Sequence, residues 1–196
     1  LLRRMGKLGC VINLQAYDSD NGEFETCRSA IGMTFMAKAD STILLSIEPR
    51  KLRERKFFGD WLDFDTGKLI LRGSHRNDAG EELMNPTLFK LAKFNARIAS
   101  GGVPAVGEGG QFAYAFLCPP YSLRGRAEAI QETFDELRAS VLPNDSENEI
   151  LDWTSPLLAD FSPYFKVGMD WWGIFLFTIF NQTRGRLIVL SASTTD

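Results

Sequence analysis

The sequence predicts an α+β protein: a mostly antiparallel sheet with a C-terminal core hairpin, and two main helices packed on one face. Three observations carry this. The stretch 171–180 is apolar on both parities, with Trp171, Phe175, Phe177 and Ile179 on one side and Trp172, Ile174, Leu176 and Phe180 on the other. A strand of that kind is covered on both faces and sits at the centre of a core. Strand-like and helix-like stretches come in clusters without a regular βαβ alternation, which favours α+β over a doubly wound sheet. Fifteen Phe, four Trp and four Tyr in 196 residues imply a core built largely from rings, in a single domain over 1–196.

Taken in order, 9–17 alternates, with Cys10, Ile12, Leu14 and Ala16 on one face and Val11, Asn13, Gln15 and Tyr17 on the other; it reads as a half-buried strand. Asp18-Ser19-Asp20-Asn21-Gly22 is turn chemistry, and its spacing does not fit a calcium loop. Ile31, Met33, Phe35 and Ala37 alternate, and 42–47 is β-branched and apolar, so both are expected as strands. Pro49 opens and Gly59 closes a short helix around the basic cluster 50–56, placed at an edge. The stretch 61–71 reads as a hairpin turning at Asp65-Thr66-Gly67, and 74–82 as loop. Asn85-Pro86 starts a helix over 86–100, and the five glycines of 101–110 form a loop or hinge. With Phe112, Tyr114 and Phe116 alternating against Ala113 and Ala115, 111–118 is expected as a strand. Ala127, Ile130, Phe134, Leu137 and Val141 recur at helical spacing, which predicts a helix over 125–142 ended by Pro143. The apolar run 171–180 then turns through Asn181 to Gly185, with Gly185 placed for a positive φ, into a β-rich run 187–190.

Composition excludes several classes. A net charge of −3, from 22 basic and 25 acidic residues, gives no overall attraction to nucleic acid or membranes. Cys10, Cys27 and Cys118 are odd in number and lack CxxC spacing, as expected of reduced thiols in a cytoplasmic protein. The basic 1–7 stretch is not followed by a signal-peptide core, Met5 is an alternative start, and the longest apolar run is about half a membrane span.

Cys118-Pro119-Pro120-Tyr121 is similar to the (Asp/Asn/Ser)-Pro-Pro-(Tyr/Phe) motif of S-adenosylmethionine-dependent amino-methyltransferases. The resemblance covers four residues and implies stacking of a flat substrate on Tyr121. The first position departs from the pattern, because a thiol is a poor acceptor. Gly102 and Gly107 have phosphate-loop spacing, but Glu108 stands where Lys is needed. Asp63-Phe64-Asp65-Thr66 echoes a phosphotransferase aspartate pair but turns at once into another strand. His75, the only histidine, has no second histidine for a zinc site. No cofactor, metal site or catalytic set is therefore assigned.

Two surfaces remain. Trp153 and Tyr164, flanked by polar and Pro-rich sequence, are expected to be exposed and able to stack a sugar or other small ligand, with Tyr121 a third such ring. Glu128, Glu132, Asp135 and Glu136 stand opposite the apolar stripe of 125–142, against Arg138 alone, and the acid continues through Asp145, Glu147, Glu149 and Asp152. The leading expectation is a non-catalytic binding module, of the immunity or inhibitor type, that presents this acidic face to a basic protein partner; a homo-oligomer is also compatible with the sequence. The methyltransferase and the small-ligand binder are the alternatives.

Overall fold

The computed structural model describes residues 1–36, 39–91, 111–169 and 172–193. The chain begins with α1 (Leu2–Leu8), closed by Gly9 at φ 84°, and enters β1 (Ile12–Asp18). Next come α2 (Phe24–Phe35), α3 (Ser41–Leu45), β2 (Arg50–Leu52) and α4 (Glu54–Phe58). Two small hairpins follow, β3 (Leu62–Asp63) with β4 (Lys68–Leu69), and β5 (Ser74–Arg76) with β6 (Glu82–Met84). After α5 (Phe112–Leu117) and α6 (Ala127–Val141) lie β7 (Asn148–Asp152), α7 (Leu158–Phe161) and α8 (Pro163–Met169). The hairpin β8 (Phe175–Asn181) and β9 (Arg186–Ala192) ends the described chain.

The main sheet has five strands in the order β1-β9-β8-β7-β2, every neighbour antiparallel. The α+β class, the antiparallel sheet and the C-terminal hairpin are as the sequence predicts. β8 is the middle strand and all seven of its residues are buried. Phe175, Phe177 and Ile179, with Ile188 and Leu190 of β9, belong to one hydrophobic cluster. Leu176 and Phe180, with Leu187 and Val189, belong to a second on the opposite face. Gly185 takes φ 54° in the connecting turn.

Helices cover both faces; of the two main helices the sequence predicts on one, α6 lies on the first face and most of 86–100 lies outside the described residues. On the first, Phe177 meets Phe57 edge to face at 5.0 Å, Phe57 stacks on Phe112 at 4.7 Å, and Phe134 of α6 closes on Phe58 and Phe116. On the second, Cys27, Ala30 and Ile31 of α2 meet Leu158, Phe161 and Phe165.

Several elements differ from the sequence reading. The segment 31–35 is helical: buried positions 27, 30 and 31 recur at three and four, so α2 turns one stripe to the sheet. Most of the 42–47 run lies in α3, capped by Asp40, whose Oδ1 accepts from Thr42 N at 2.9 Å. Arg50–Leu52 is a strand at the sheet edge, and the helix starts only at Glu54. The 112–117 segment is a helix with all six residues buried, so no polar face marked its period.

Residues 74–84 form a hairpin where loop was expected. Asn85 does not cap a helix. It takes φ 49°, and its Oδ1 accepts from Gly73 N at 2.9 Å, closing that hairpin. A single 3₁₀ turn, Leu88–Lys90, follows; the expected helix beyond it and the glycine loop 101–110 lie outside the described residues.

Candidate functional site, an acidic cleft at one end of the sheet

Where β1 ends, the polar turn 18–23 crosses the hairpin end of the sheet and enters α2. Asn21 holds it: its Oδ1 accepts from Glu23 N at 3.1 Å and Thr26 Oγ1 at 2.7 Å, satisfying a donor at the start of the helix. Gly22 is needed here for close approach, since a Cβ would lie 2.7 Å from Cβ of Phe180. This packing places the turn across a gap from β2 and β7. The gap is an open cleft of about 800 Å³, lined by Asp20, Glu23 and Glu25 on one wall and Lys51, Glu147 and Glu149 on the other.

Five carboxylates thus line the cleft with one lysine. Lys51 Nζ lies 2.6 Å from Glu149 Oε1, and Glu25 pairs with Arg28 at 2.6 Å. Asp20, Glu23 and Glu147 have no ion pair among the described residues. Phe24 lines the same cleft with its ring 49% exposed, set edge-on to buried Trp153 at 6.4 Å. Excess negative charge beside an exposed ring and the apolar surface of Phe180 suits a long cationic side chain, whose stem packs while its head meets oxygen.

The carboxylates predicted on the helix are divided by the fold. Glu128 and Glu132 on α6 are exposed. Asp135 is exposed and accepts from Gln131 Nε2 at 2.9 Å. Glu136 is half-buried and ion-paired with Arg4 of α1, while Arg138 donates to Glu54 at 2.8 Å. Half of that face is therefore engaged within the molecule. The continuing acid at Glu147 and Glu149 belongs to the cleft, together with Asp20 of the stretch 18–22, which the sequence reads as turn chemistry only, and with Glu23 and Glu25 at the start of α2. The available signal was charge density, with Asp18, Asp20, Glu23 and Glu25 falling within eight residues.

The predicted ligand rings are not brought together. Trp153 is fully buried, not exposed, and its Nε1 donates to Thr178 Oγ1 at 2.9 Å. Its polar neighbours misled because Asp152 and Thr154 are buried as well. Tyr164 is half-buried, packed on Phe35 and Phe165, with its hydroxyl accepting from Asn13 Nδ2 at 2.9 Å; burial pushes its phenol upward. Tyr121 is 64% exposed. The Cys118-Pro119-Pro120 stretch before it ends a helix instead of a strand, and the Cys118 carbonyl accepts from Trp172 Nε1 at 2.6 Å.

Burial raises the thiols, Cys10 to about 12 and Cys27 also upward, so neither is an activated nucleophile. Among the described residues no group of three or more His, Cys, Asp or Glu is placed to hold a metal ion. No described helix is long and apolar enough to cross a membrane. Comparison with family models, curated proteins and solved structures finds no match to the chain.

Proposed function

We propose that the protein is a non-catalytic binding module, of the immunity or inhibitor type, that takes a basic protein partner on its acidic side. The observation that carries this reading is the cleft, which five carboxylates line with a single lysine beside half-exposed Phe24. A lysine or arginine of the partner enters it, while Glu128 and Glu132 add to the field that guides encounter. Clustered carboxylates without full internal pairing cost stability through mutual repulsion, a cost that a basic partner relieves on binding.

The test is association kinetics at low and moderate salt against the partner recovered from the native host. Glu23→Gln with Glu147→Gln is expected to slow association by roughly three- to tenfold at low salt and to flatten its salt dependence. Glu128→Gln with Glu132→Gln is expected to act in the same direction but less. Unchanged low-salt on-rates in the cleft variant would refute the cleft as the contact; an effect confined to the α6 pair would move the site to that helix.

A further inference from the structure

The two edges of the main sheet are treated very differently. At one, β2 has three residues, flanked by Arg53, with Arg50 and Lys51 in ion pairs to Asp152 and Glu149. Short length and positive charge are how proteins blunt an edge against further pairing. At the other, β1 runs seven residues, Ile12–Asp18, with neither Pro nor Lys nor Arg and no charge before Asp18.

The hydrogen-bond parity shows which groups this second edge leaves open. Ser19 N donates to Gly185 O at 2.9 Å, in line with the register Tyr17↔Leu187 and Asp18↔Arg186. In an antiparallel ladder alternate residues bond the same neighbour, so Asn13, Gln15 and Tyr17 bond β9. The N–H and C=O of Ile12, Leu14, Ala16 and Asp18 point away from β9; Ile12 is buried, with its N–H against the Cys10 sulfur, so the accessible outward groups are those of Leu14, Ala16 and Asp18. Among the described residues no strand pairs with β1 on that side, and Asn13, Gln15 and Ala16 are exposed.

We propose that β1 is a self-association edge, on which a second copy of this chain pairs its own β1 antiparallel about a two-fold axis at Gln15. The open backbone groups call for a strand, and β1 is its own complement. With Gln15 opposite Gln15, Leu14 faces Ala16 of the second copy, Asn13 faces Tyr17, and Ile12 faces Asp18. The Leu14 and Ala16 groups are then matched on both sides of the axis, in about four backbone hydrogen bonds. The strand's only charge, Asp18, stands about 20 Å along the strand from its own image, beyond the reach of screened repulsion. The product is a continuous sheet twice as wide, edged at both ends by the protected β2.

Sedimentation of the full chain across about 1–200 µM is expected to show a reversible monomer–dimer equilibrium, as befits a small interface. Ala16→Pro removes one outward N–H and places a ring on the edge, a change an edge strand tolerates on its solvent side; it is expected to leave a folded monomer. Gln15→Lys and Gln15→Glu set like charges opposite each other and are each expected to weaken the dimer about fivefold. Mixing the two variants is expected to restore it, which also decides the matter if the proline variant does not fold. A wild type that stays monomeric at the highest concentration overturns the proposal, as does a dimer indifferent to both kinds of variant. A monomer that instead takes an extended peptide along β1 overturns the second copy as occupant.

Discussion

At Asp152 burial and pairing pull in opposite directions. The carboxylate is 1% exposed, accepts from Thr154 N at 2.9 Å and from Arg50 Nη2 at 2.8 Å, yet burial outweighs these bonds and its pKa is raised above the ordinary 3.8. Arg50, on the exposed edge strand, is itself 43% exposed, so water screens the help it gives. With the folded pKa raised, the stability tied to this group is fully present below the ordinary value and is lost as pH climbs through the folded one. The unfolding free energy of wild type relative to Asp152→Asn should therefore fall as pH rises from about 4 and then level off. Urea denaturation at a series of pH values checks it. A difference that grows with pH would mean that the Arg50 pair overrides burial. None of this is legible in sequence, where Asp152 looks like one more member of an acidic run. Its partners lie 102 residues away or on the backbone, and only the β2–β7 register brings them together.

Among the elements, α6 was readable because its apolar stripe matches the helical period, and β8 and β9 because short apolar runs flank the turn residues Asn181 to Gly185. α5 was not, because a helix buried all round has no polar face, and its alternation of large and small side chains mimics a strand. α2 was missed for a different reason. Its stripe starts at Cys27, upstream of the window in which Ile31, Met33 and Phe35 alternate. The candidate site is legible in its charge and not in its shape: the acid at 145–149 stands out in the sequence, but the facing wall of 20–25 is supplied by a turn and the start of α2, whose position depends on Gly22 meeting Phe180. A buried amide inside α6 also went unseen. Gln131 is 2% exposed; its Oε1 accepts from Leu69 N at 3.0 Å, and its Nε2 donates to Gly67 O at 3.0 Å. It thereby ties the β3–β4 hairpin to the helix. Gln131→Ala is expected to cost about 1–3 kcal/mol, since it strands a buried amide hydrogen. A thermal midpoint equal to wild type would show that water replaces the side chain at no cost.

Across the whole molecule, the two hydrophobic clusters have no separate scaffolds. They are the two faces of one sheet, and β8 contributes Phe177 to the first and the adjacent Leu176 to the second. Removing packing from either face loosens the strand that supports the other, so both clusters should be lost in a single transition although their helices differ. Phe177→Ala is expected to cost about 3–5 kcal/mol and Leu176→Ala about 2–5 kcal/mol, each lowering the denaturation midpoint at unchanged slope. Trp61 and Trp172 report from the first face and Trp153 from the second, so tryptophan fluorescence samples both while far-UV circular dichroism follows the helices. The two signals should fall together in each variant, the mark of all-or-none unfolding. A biphasic transition in Leu176→Ala, with the second face melting first, would show that α2, α3, α7 and α8 form a layer that can detach. The acidic cleft would then belong to the less stable part of the molecule, because its first wall is carried by the turn into α2 and its second by the sheet. Partner binding would in that case raise the first transition more than the second.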